Sequence, residues 1–337
     1  MRRLIFLLLE NAGLPWLLRN LRVRGREMSI LTFHRVGGAY DPQWPPMPVD
    51  VFRKLMQALS QEACIIPLER IGTIEDYPDK PLMALSFDDG YADFLINAVP
   101  ILTELGLPAH LNICPSVVDE QIPPWTQVVG TFIRRNSGKV IQLPNGNEVS
   151  ISNQPTEADL ISVARQLSSI EDEERDRWID KLAVDLPTHS MPPLLNWDEI
   201  RQCNALGFHI GSHGMKHRNL GRADEVVLVQ EIKESRERIR REVGVAPAIF
   251  AFPNGWHTHD GIRIAKECGY TIVLLCEDQV VTHWQTSPKT TKNFHVFPRI
   301  NINGSNWSEE HLRIWGFHQR FKCAAKGISH RYLPVKR

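Results

Sequence analysis

The alternation of short apolar runs with amphipathic runs is the feature that most restricts the fold of this chain. Patterns typical of strands at 29–36, 82–87 and 109–114 alternate with patterns typical of helices at 50–61 and 92–106. Strands that are joined through a helix run parallel, because the helix carries the chain back to the start of the sheet. The first third of the sequence therefore predicts an α/β fold with parallel strands.

The same rhythm resumes in the second half of the chain. It predicts strands at 208–213, 247–252, 270–276 and 296–302, helices at 196–207, 224–244 and 260–269, and one closing helix at 307–320. About seven strand–helix steps around one core predict an irregular (β/α)7-type barrel.

Residues 120–195 interrupt that rhythm. A hairpin pattern centred on Asn145-Gly146 is followed by two charged helical patterns. We interpret this stretch as a mainly helical insertion that forms a lid or wall of a substrate cleft. The predicted organisation is an N-terminal amphipathic segment at 1–28, the barrel with its insertion at 29–302, and a C-terminal helix and tail at 303–337.

Charge and cysteine content narrow the function and the compartment. Lys and Arg total 39 and Asp and Glu total 39, which argues against a general polyanion binder, so we expect no nucleic-acid partner. None of the six cysteines lies at a Cys-x-x-Cys spacing; they occupy positions 64, 114, 203, 268, 276 and 323. We expect free thiols in a reducing compartment, which favours the cytoplasm or the inner face of its membrane.

The N-terminal segment allows two interpretations. "MRRLIFLLLE" has a short apolar run without the cleavage site of a secretory signal, and it is too short to span a bilayer. Downstream, Trp16 and several leucines lie among arginines. The segment is either a packed first helix or a basic amphipathic segment on an anionic membrane face.

Two adjacent carboxylates, Asp88 and Asp89, follow the apolar strand pattern at 82–87. Like charges repel at this distance, and a strand end in a barrel is a poor place for them without compensation. One interpretation is that Asp-Asp-Gly simply forms a turn, which these residue types favour. The alternative is that a cation binds one carboxylate while the other performs chemistry.

A histidine pair, His213 and His217, follows a later strand. The four-residue spacing predicts that both imidazoles lie on one face of a helical turn, a common way to present two nitrogen ligands to one metal. Chemistry in β/α barrels lies where strands end in loops on the carboxyl side. An Asp with two His supplies three ligands and leaves a position for water, as in catalytic metal sites.

At this point the sequence resembles the metal-dependent polysaccharide deacetylases, carbohydrate esterase family 4. The three motifs that carry the resemblance are "SFDDG" at 86–90, "SHGMKH" at 212–217 and "FAFPNG" at 250–255. The resemblance implies that Asp88 is the general base and that Asp89, His213 and His217 bind one divalent metal ion, zinc first, with cobalt, nickel or iron as alternatives. It also implies an oxyanion site at the backbone N–H of Asn254.

The sequence lacks two features of the family pattern, so other residues must take over their roles. No arginine precedes the third motif, so Arg299 in "FPRINI" is the candidate to hold the base, unless it is a surface arginine at a strand end. No late Leu-x-x-His motif supplies a general acid. His34 in "TFHRV" resembles a variant arrangement of exopolysaccharide deacetylases and is our candidate acid, with a core histidine as the alternative. The next candidates are His283, His295 and His318.

Other aromatic and histidine side chains have weaker assignments. Trp125 either stacks on a sugar ring or packs within the insertion. We expect His257 and His259 to cap a helix or face solvent, and His209 to lie in the core or at its rim.

The resemblance implies a hydrolase that removes an N-acetyl group from an amino sugar. The expected partner is an N-acetylated glycan of a surface polysaccharide or its lipid-linked precursor, with a peripheral membrane contact as an option. One alternative is an O-acetyl esterase or an imidase-type amidohydrolase on the same scaffold. Another is a glycan-binding module without catalytic activity.

Overall fold

A computed structural model of the chain describes residues 2–38, 45–167, 169–281 and 294–325. Its strands are β1 (Met28–Phe33), β2 (Cys64–Ile65), β3 (Leu82–Phe87), β4 (His110–Ile113), β5 (Val140–Gln142), β6 (Glu148–Ser150), β7 (His209–Ser212), β8 (Ile249–Ala251), β9 (Ile272–Cys276) and β10 (His295–Asn301). Its α-helices are α1 (Arg2–Asn11), α2 (Leu14–Arg24), α3 (Val49–Glu62), α4 (Val99–Glu104), α5 (Pro115–Glu120), α6 (Trp125–Arg135), α7 (Glu157–Leu167), α8 (Asp172–Asp185), α9 (Trp197–Ala205), α10 (Glu225–Val229), α11 (Ser235–Val243), α12 (His259–Glu267), α13 (Trp307–Ile314) and α14 (Phe317–Ala325).

The parallel strands close into a barrel. The order around it is β1, β10, β9, β8, β7, β4 and β3, and β3 pairs again with β1 along the whole of both strands. The short strand β2 pairs with the start of β3, on the side where β4 pairs with its end. The predicted (β/α)7-type barrel is therefore confirmed.

The barrel strands are mostly apolar because both faces of the sheet are covered. All six residues of β3 are buried. Leu82 and Ala84 pack with Ile249 and Phe297 from the far wall, inside the barrel. Their neighbours, among them Leu85, pack outwards against the surrounding helices. Side chains alternate between these two environments along each strand.

Because of this alternation, polar side chains line the inside of the barrel near its carboxyl end. Ser86 follows Ala84 on the inner face, and Arg299 follows Phe297 on β10, so the two reach the same layer; Arg299 Nη1 donates to Ser86 Oγ at 3.2 Å. Both side chains are buried. The barrel is therefore closed by hydrocarbon at its amino end and lined by hydrogen-bonding groups at its carboxyl end.

The stretch between α5 and α9 builds its own small core. Helices α6, α7 and α8 and the β5–β6 hairpin bury Val129, Ile133, Val163 and Leu167 together, apart from the barrel clusters. Gly146 adopts a positive φ of 81° in the hairpin turn, a conformation that glycine adopts without strain. The predicted hairpin is thus present in the inserted stretch.

Two helix predictions differ from the structure. The closing helix, predicted as one, is two helices, because Gly316 adopts a φ of 80° and turns the chain between α13 and α14. The helix predicted at 92–106 begins with a π-helical turn, Phe94–Ala98, that leads into α4. Pro100 lies in the first turn of α4, where its missing N–H leaves no helical hydrogen bond broken. The predicted tail after residue 325 lies outside the described residues.

Candidate active site

A cavity of about 160 Å³ opens at the carboxyl end of the barrel. Asp88 and Asp89 reach it directly after β3, His213 reaches it directly after β7, and His217 reaches it from the loop that follows. The carboxyl ends of parallel strands meet at one edge, which brings together motifs that lie more than a hundred residues apart in the chain.

The backbone turns sharply after β3 to present the two carboxylates differently. The Asp88 N–H donates to the carbonyl oxygen of Phe33, which continues the pairing of β3 with β1 for one more residue. Asp89 and Gly90 then take φ values of 76° and 77°. Aspartate tolerates this left-handed region better than most residues, and glycine adopts it freely. The Asp-Asp-Gly turn and the chemical interpretation are therefore compatible, since the turn orients the carboxylates.

Asp89, His213 and His217 form a compact group of candidate metal ligands. Their ligand atoms all lie within 4.8 Å of one another, and all three residues are buried. Asp89 Oδ1 lies 3.6 Å from His213 Nε2 and 3.4 Å from His217 Nε2. These separations are longer than hydrogen bonds, and they leave space for a cation between the three atoms.

The chemistry of these donors fits a divalent cation. Asp89 Oδ1 is buried and accepts no hydrogen bond from the protein. Burial and the neighbouring Asp88 charge raise the pKa of the Asp89 carboxyl well above its usual value, so its anionic form needs a positive partner. His213 Nδ1 lies 2.7 Å from the carbonyl oxygen of Ala251 and must donate to it, which leaves the Nε2 lone pair for a metal.

The segment between the two histidines is a loop, so the predicted helical turn is wrong. Gly214 and His217 adopt positive φ values of 81° and 58°, which no α-helix contains. Glu231 holds this loop: its Oε2 accepts the N–H groups of Met215 at 2.7 Å and Lys216 at 3.0 Å. A Cβ on Gly214 would lie 2.8 Å from the same oxygen, so glycine is needed for the close approach.

Asp88 is held in its ionised form by its surroundings. Its Oδ1 accepts hydrogen bonds of 2.8 Å from both Arg299 Nη1 and Asn112 Nδ2. Burial by itself raises the pKa of this carboxyl, but the charge of Arg299 and the hydrogen bond from its guanidinium outweigh it and hold the pKa well below its ordinary value. A carboxylate that stays ionised beside a metal site can accept a proton from water.

Arg299 lies where the candidate substitute for the missing arginine is required. It comes from β10, and its guanidinium is buried against Asp88 rather than exposed at a strand end. Asp88 raises the pKa of Arg299 against the effect of burial, so the pair is charged.

His34 lines the same cavity, one residue past β1. Burial lowers the pKa of His34 to about 4, although the Asp88 charge acts in the opposite direction. The neutral form of His34 therefore prevails at pH 7.

The other candidates for the general acid do not line the cavity where the structure describes them. His295 stacks on Phe297 at the start of β10, at the amino end of the barrel. His318 stacks on Phe6 at the outer helices. His283 lies outside the described residues.

Asn254 and Trp125 occupy different positions around the cavity. Asn254 lines it in a left-handed conformation, with a φ of 53°, directly after β8 and Pro253. Trp125 begins α6, packs against the core of the insertion, and lines a groove that adjoins the cavity at His217. Its neighbour Thr126 reaches the cavity itself. The insertion therefore forms one wall of the site.

His209, His257 and His259 do not line the cavity. His259 begins α12 behind the cap residue Thr258. His257 Nδ1 lies 2.9 Å from the carbonyl oxygen of Gly255. His209 is exposed at the amino end of β7, 3.5 Å from Glu69 Oε1.

Sequence reasoning missed Asn112 and Glu231. Asn112 is an inner-face residue of the apolar strand β4, and a polar residue in the middle of such a run is a signal that could have identified it. Glu231 lies in a long charged helix whose pattern gives no such indication. It is buried because a π-helical turn, Gln230–Glu234, interrupts that helix.

A family model described as "Polysaccharide deacetylase" matches residues 75–273 of the chain. That match contains the candidate metal ligands and Asp88, while His34 and Arg299 lie outside it. A search of curated proteins found no match.

Several solved structures have the same fold. A Streptococcus pyogenes deacetylase, PplD in complex with acetate, aligns at a TM-score of 0.56 and 14% identity, over 85% of this chain and 97% of its own. A de-N-acetylase from Aggregatibacter actinomycetemcomitans aligns at 0.52 and 17%, over 85% of this chain and 100% of its own. IcaB from Ammonifex degensii aligns at 0.51 and 14%, over 86% and 97%.

Proposed function

The chain belongs to the polysaccharide deacetylase family, and we propose that it hydrolyses the N-acetyl group of an amino sugar in a metal-dependent reaction. The observation that carries this proposal is the pairing in one cavity of an ionised carboxylate, Asp88, with the ligand group Asp89, His213 and His217. Burying ionisable side chains costs free energy, and five of them are buried at this edge of the barrel: Asp88, Asp89, His213, His217 and Arg299. A protein that kept the fold without the catalytic activity would not need this arrangement.

We assign each buried group a separate task. Asp89, His213 and His217 hold one divalent cation, and zinc suits a set of two imidazoles and a carboxylate, although cobalt, nickel and iron share this preference. Such a cation acts as a Lewis acid that polarises the amide carbonyl and acidifies water.

The chain's own residues move the protons. Asp88 removes a proton from the attacking water, and Arg299 keeps Asp88 ionised until that moment. The backbone N–H of Asn254 stabilises the oxyanion that develops on the carbonyl oxygen. His34 is neutral at rest; it accepts the proton that Asp88 took from the water and donates it to the leaving amine.

The size of the cavity supports a small reacting group on a larger substrate. A volume of about 160 Å³ lies below the roughly 300 Å³ at which pockets begin to enclose a drug-sized ligand. An acetamido group with part of one sugar ring suits this space. The groove lined by Trp125 and Arg218 continues from it and offers room for the rest of the glycan.

We further propose that the protein acts in the cytoplasm, at the inner face of the membrane, on a lipid-linked precursor of a surface polysaccharide. Five described cysteines are free, three of them half-buried, which suits a reducing compartment. A precursor on a carrier lipid fits that location better than a finished extracellular polymer does.

The test compares the two adjacent aspartates. Asp89→Ala is expected to lose both bound metal and deacetylation of an N-acetylated oligosaccharide. Asp88→Asn is expected to keep the metal and to lose roughly 100- to 10,000-fold in turnover, the range for a general base. Loss of metal in Asp88→Asn would reverse the two roles, and wild-type turnover in Asp89→Ala would refute the proposal.

A further inference from the structure

The two N-terminal helices have an inward face that belongs to the folded body. Phe6 of α1 packs edge-on against Phe317 at a ring distance of 6.1 Å. Leu18 and Arg22 of α2 are buried. Arg22 donates to the carbonyl oxygen of Ile314 and to Ser29 Oγ, both at 2.6 Å. One of the two interpretations of this segment, a packed helix, therefore describes this side of it.

The opposite side of the same helices is apolar and exposed. Seven large apolar side chains there are between 38% and 62% exposed: Leu4, Ile5, Leu7, Leu8, Trp16, Leu17 and Leu21. We call this group the N-terminal apolar face. It holds seven of the seventeen exposed large apolar side chains in the described part of the chain. Single exposed apolar residues are normal, but a group on two adjoining helices indicates an interaction surface.

The exposed charged side chains on α1 and α2 and just after them are positive. Arg3, Arg24 and Arg26 are exposed on or just after these helices. Glu10 is the one acidic residue of α1 and α2, and it accepts a hydrogen bond from Trp307 Nε1 on the protein side. Since the whole chain has no net charge, this local excess of arginine selects an anionic partner.

The geometry of α1 and α2 favours a position on the surface of a membrane over one that crosses it. No single described helix is long and apolar enough to cross a bilayer; α1 and α2 pass that test only as a pair, with a bend of 67° between them. The buried Arg22 and Phe6 tie the pair to the barrel, so its length is not available for crossing. Exposed leucines with Trp16 and flanking arginines are typical of helices that lie in the interfacial layer.

We propose that the N-terminal apolar face docks the protein on the surface of a bilayer that contains anionic lipid. The leucines and Trp16 enter the boundary between head groups and acyl chains, and the arginines contact lipid phosphates. This inference goes beyond the proposed deacetylation and does not depend on it, because no residue of the face lines the cavity.

The test uses the full-length protein and outward-facing substitutions. Deletion of residues 1–26 is unsuitable because it also removes Phe6, Leu18 and Arg22 from the core. The variant Leu8→Ser/Trp16→Ser/Leu17→Ser alters the face alone. Its matched control replaces three apolar side chains that are at least as exposed elsewhere, in Val184→Ser/Val226→Ser/Val245→Ser.

We expect the wild type and the control to sediment with vesicles of phosphatidylcholine and phosphatidylglycerol at low salt, and far less with phosphatidylcholine alone. The face variant is expected to stay in the supernatant. Added salt should weaken binding, because it screens the arginines. Thermal melts of all three proteins check folding, and turnover of a water-soluble substrate separates this inference from the proposed function.

Three outcomes would overturn the inference. The first is a wild type that does not sediment with anionic vesicles, and the second is a face variant that sediments as well as the control. The third is a wild-type dimer in light scattering that the face variant dissociates, since a second copy would then cover the face. Quenching of Trp16 by brominated lipid, lost in Trp16→Phe, is the direct sign of insertion.

Discussion

Replacing Arg299 with glutamine tests the electrostatic design of the site. The change removes the positive charge that donates to Asp88 Oδ1 at 2.8 Å and keeps a polar side chain of moderate size. Both members of the pair are almost fully buried. Without Arg299 the pKa of Asp88 rises, so the base becomes protonated and inactive at a higher pH than in the wild type.

The magnitude follows from the geometry. Charges about 4 Å apart at an effective dielectric constant of about 20 interact by about 4 kcal/mol, which corresponds to about 3 pKa units. Asn112 still donates to Asp88 in the variant, so we expect the acidic limb of kcat/KM to move up by about 2 pH units. Removing one partner of a buried pair also lowers the free energy of unfolding by roughly 3–5 kcal/mol.

The assay combines a pH–rate profile with a double-mutant cycle. Arg299→Gln, Asp88→Asn and the double variant are unfolded in denaturant, and the double variant should lose much less stability than the two single losses added together. Arg263→Gln is the matched control, since that arginine is exposed and contacts carboxylates at the surface. An acidic limb that does not move, together with additive stability losses, would refute the reasoning.

Three further changes test other parts of the site and fold. Glu231→Ala should weaken metal binding by roughly 10- to 100-fold in a chelator competition, and Glu231→Gln, which still accepts hydrogen bonds, should restore much of it; equal affinity in all three proteins would contradict the positioning role. His34→Gln should keep the metal content and lower turnover by roughly 100-fold or more, and less for a substrate with a better leaving group; normal turnover would remove it as the acid. His110 lowers the pKa of Glu69 from 4.5 to about 2 against the effect of burial, and this corresponds to about 3 kcal/mol of stability that is present above pH 4.5 and lost as the pH falls towards 2. Glu69→Gln should therefore be less stable than the wild type at pH 7 and approach it below pH 3 in urea titrations; a difference that is independent of pH would exclude the ionic origin.

The sequence by itself determined the barrel and the motif residues. Strands that are buried on both faces are mostly apolar, so the strand at 82–87 is recognisable without any tertiary information. Asp88, Asp89 and His213 come directly after such strands, His217 follows in the next loop, and the rule that parallel strands end at one edge brings them together. The choice between a turn and a chemical site at Asp88-Asp89 could also be framed from sequence, since both depend on local residue type.

Only the tertiary structure decided which groups complete the site. Arg299 lies 211 residues after Asp88, and no local pattern records that a closed barrel places β10 beside β1 and within reach of the end of β3. The loop at 213–217 is not helical because the buried carboxylate of Glu231, from a distant helix, binds its backbone. The burial that lowers the pKa of His34 is likewise a property of the assembled cavity. For α1 and α2, sequence left two alternatives for one segment. The fold buries one face of these helices and leaves the other exposed, because burial is decided side chain by side chain when the helices meet the barrel.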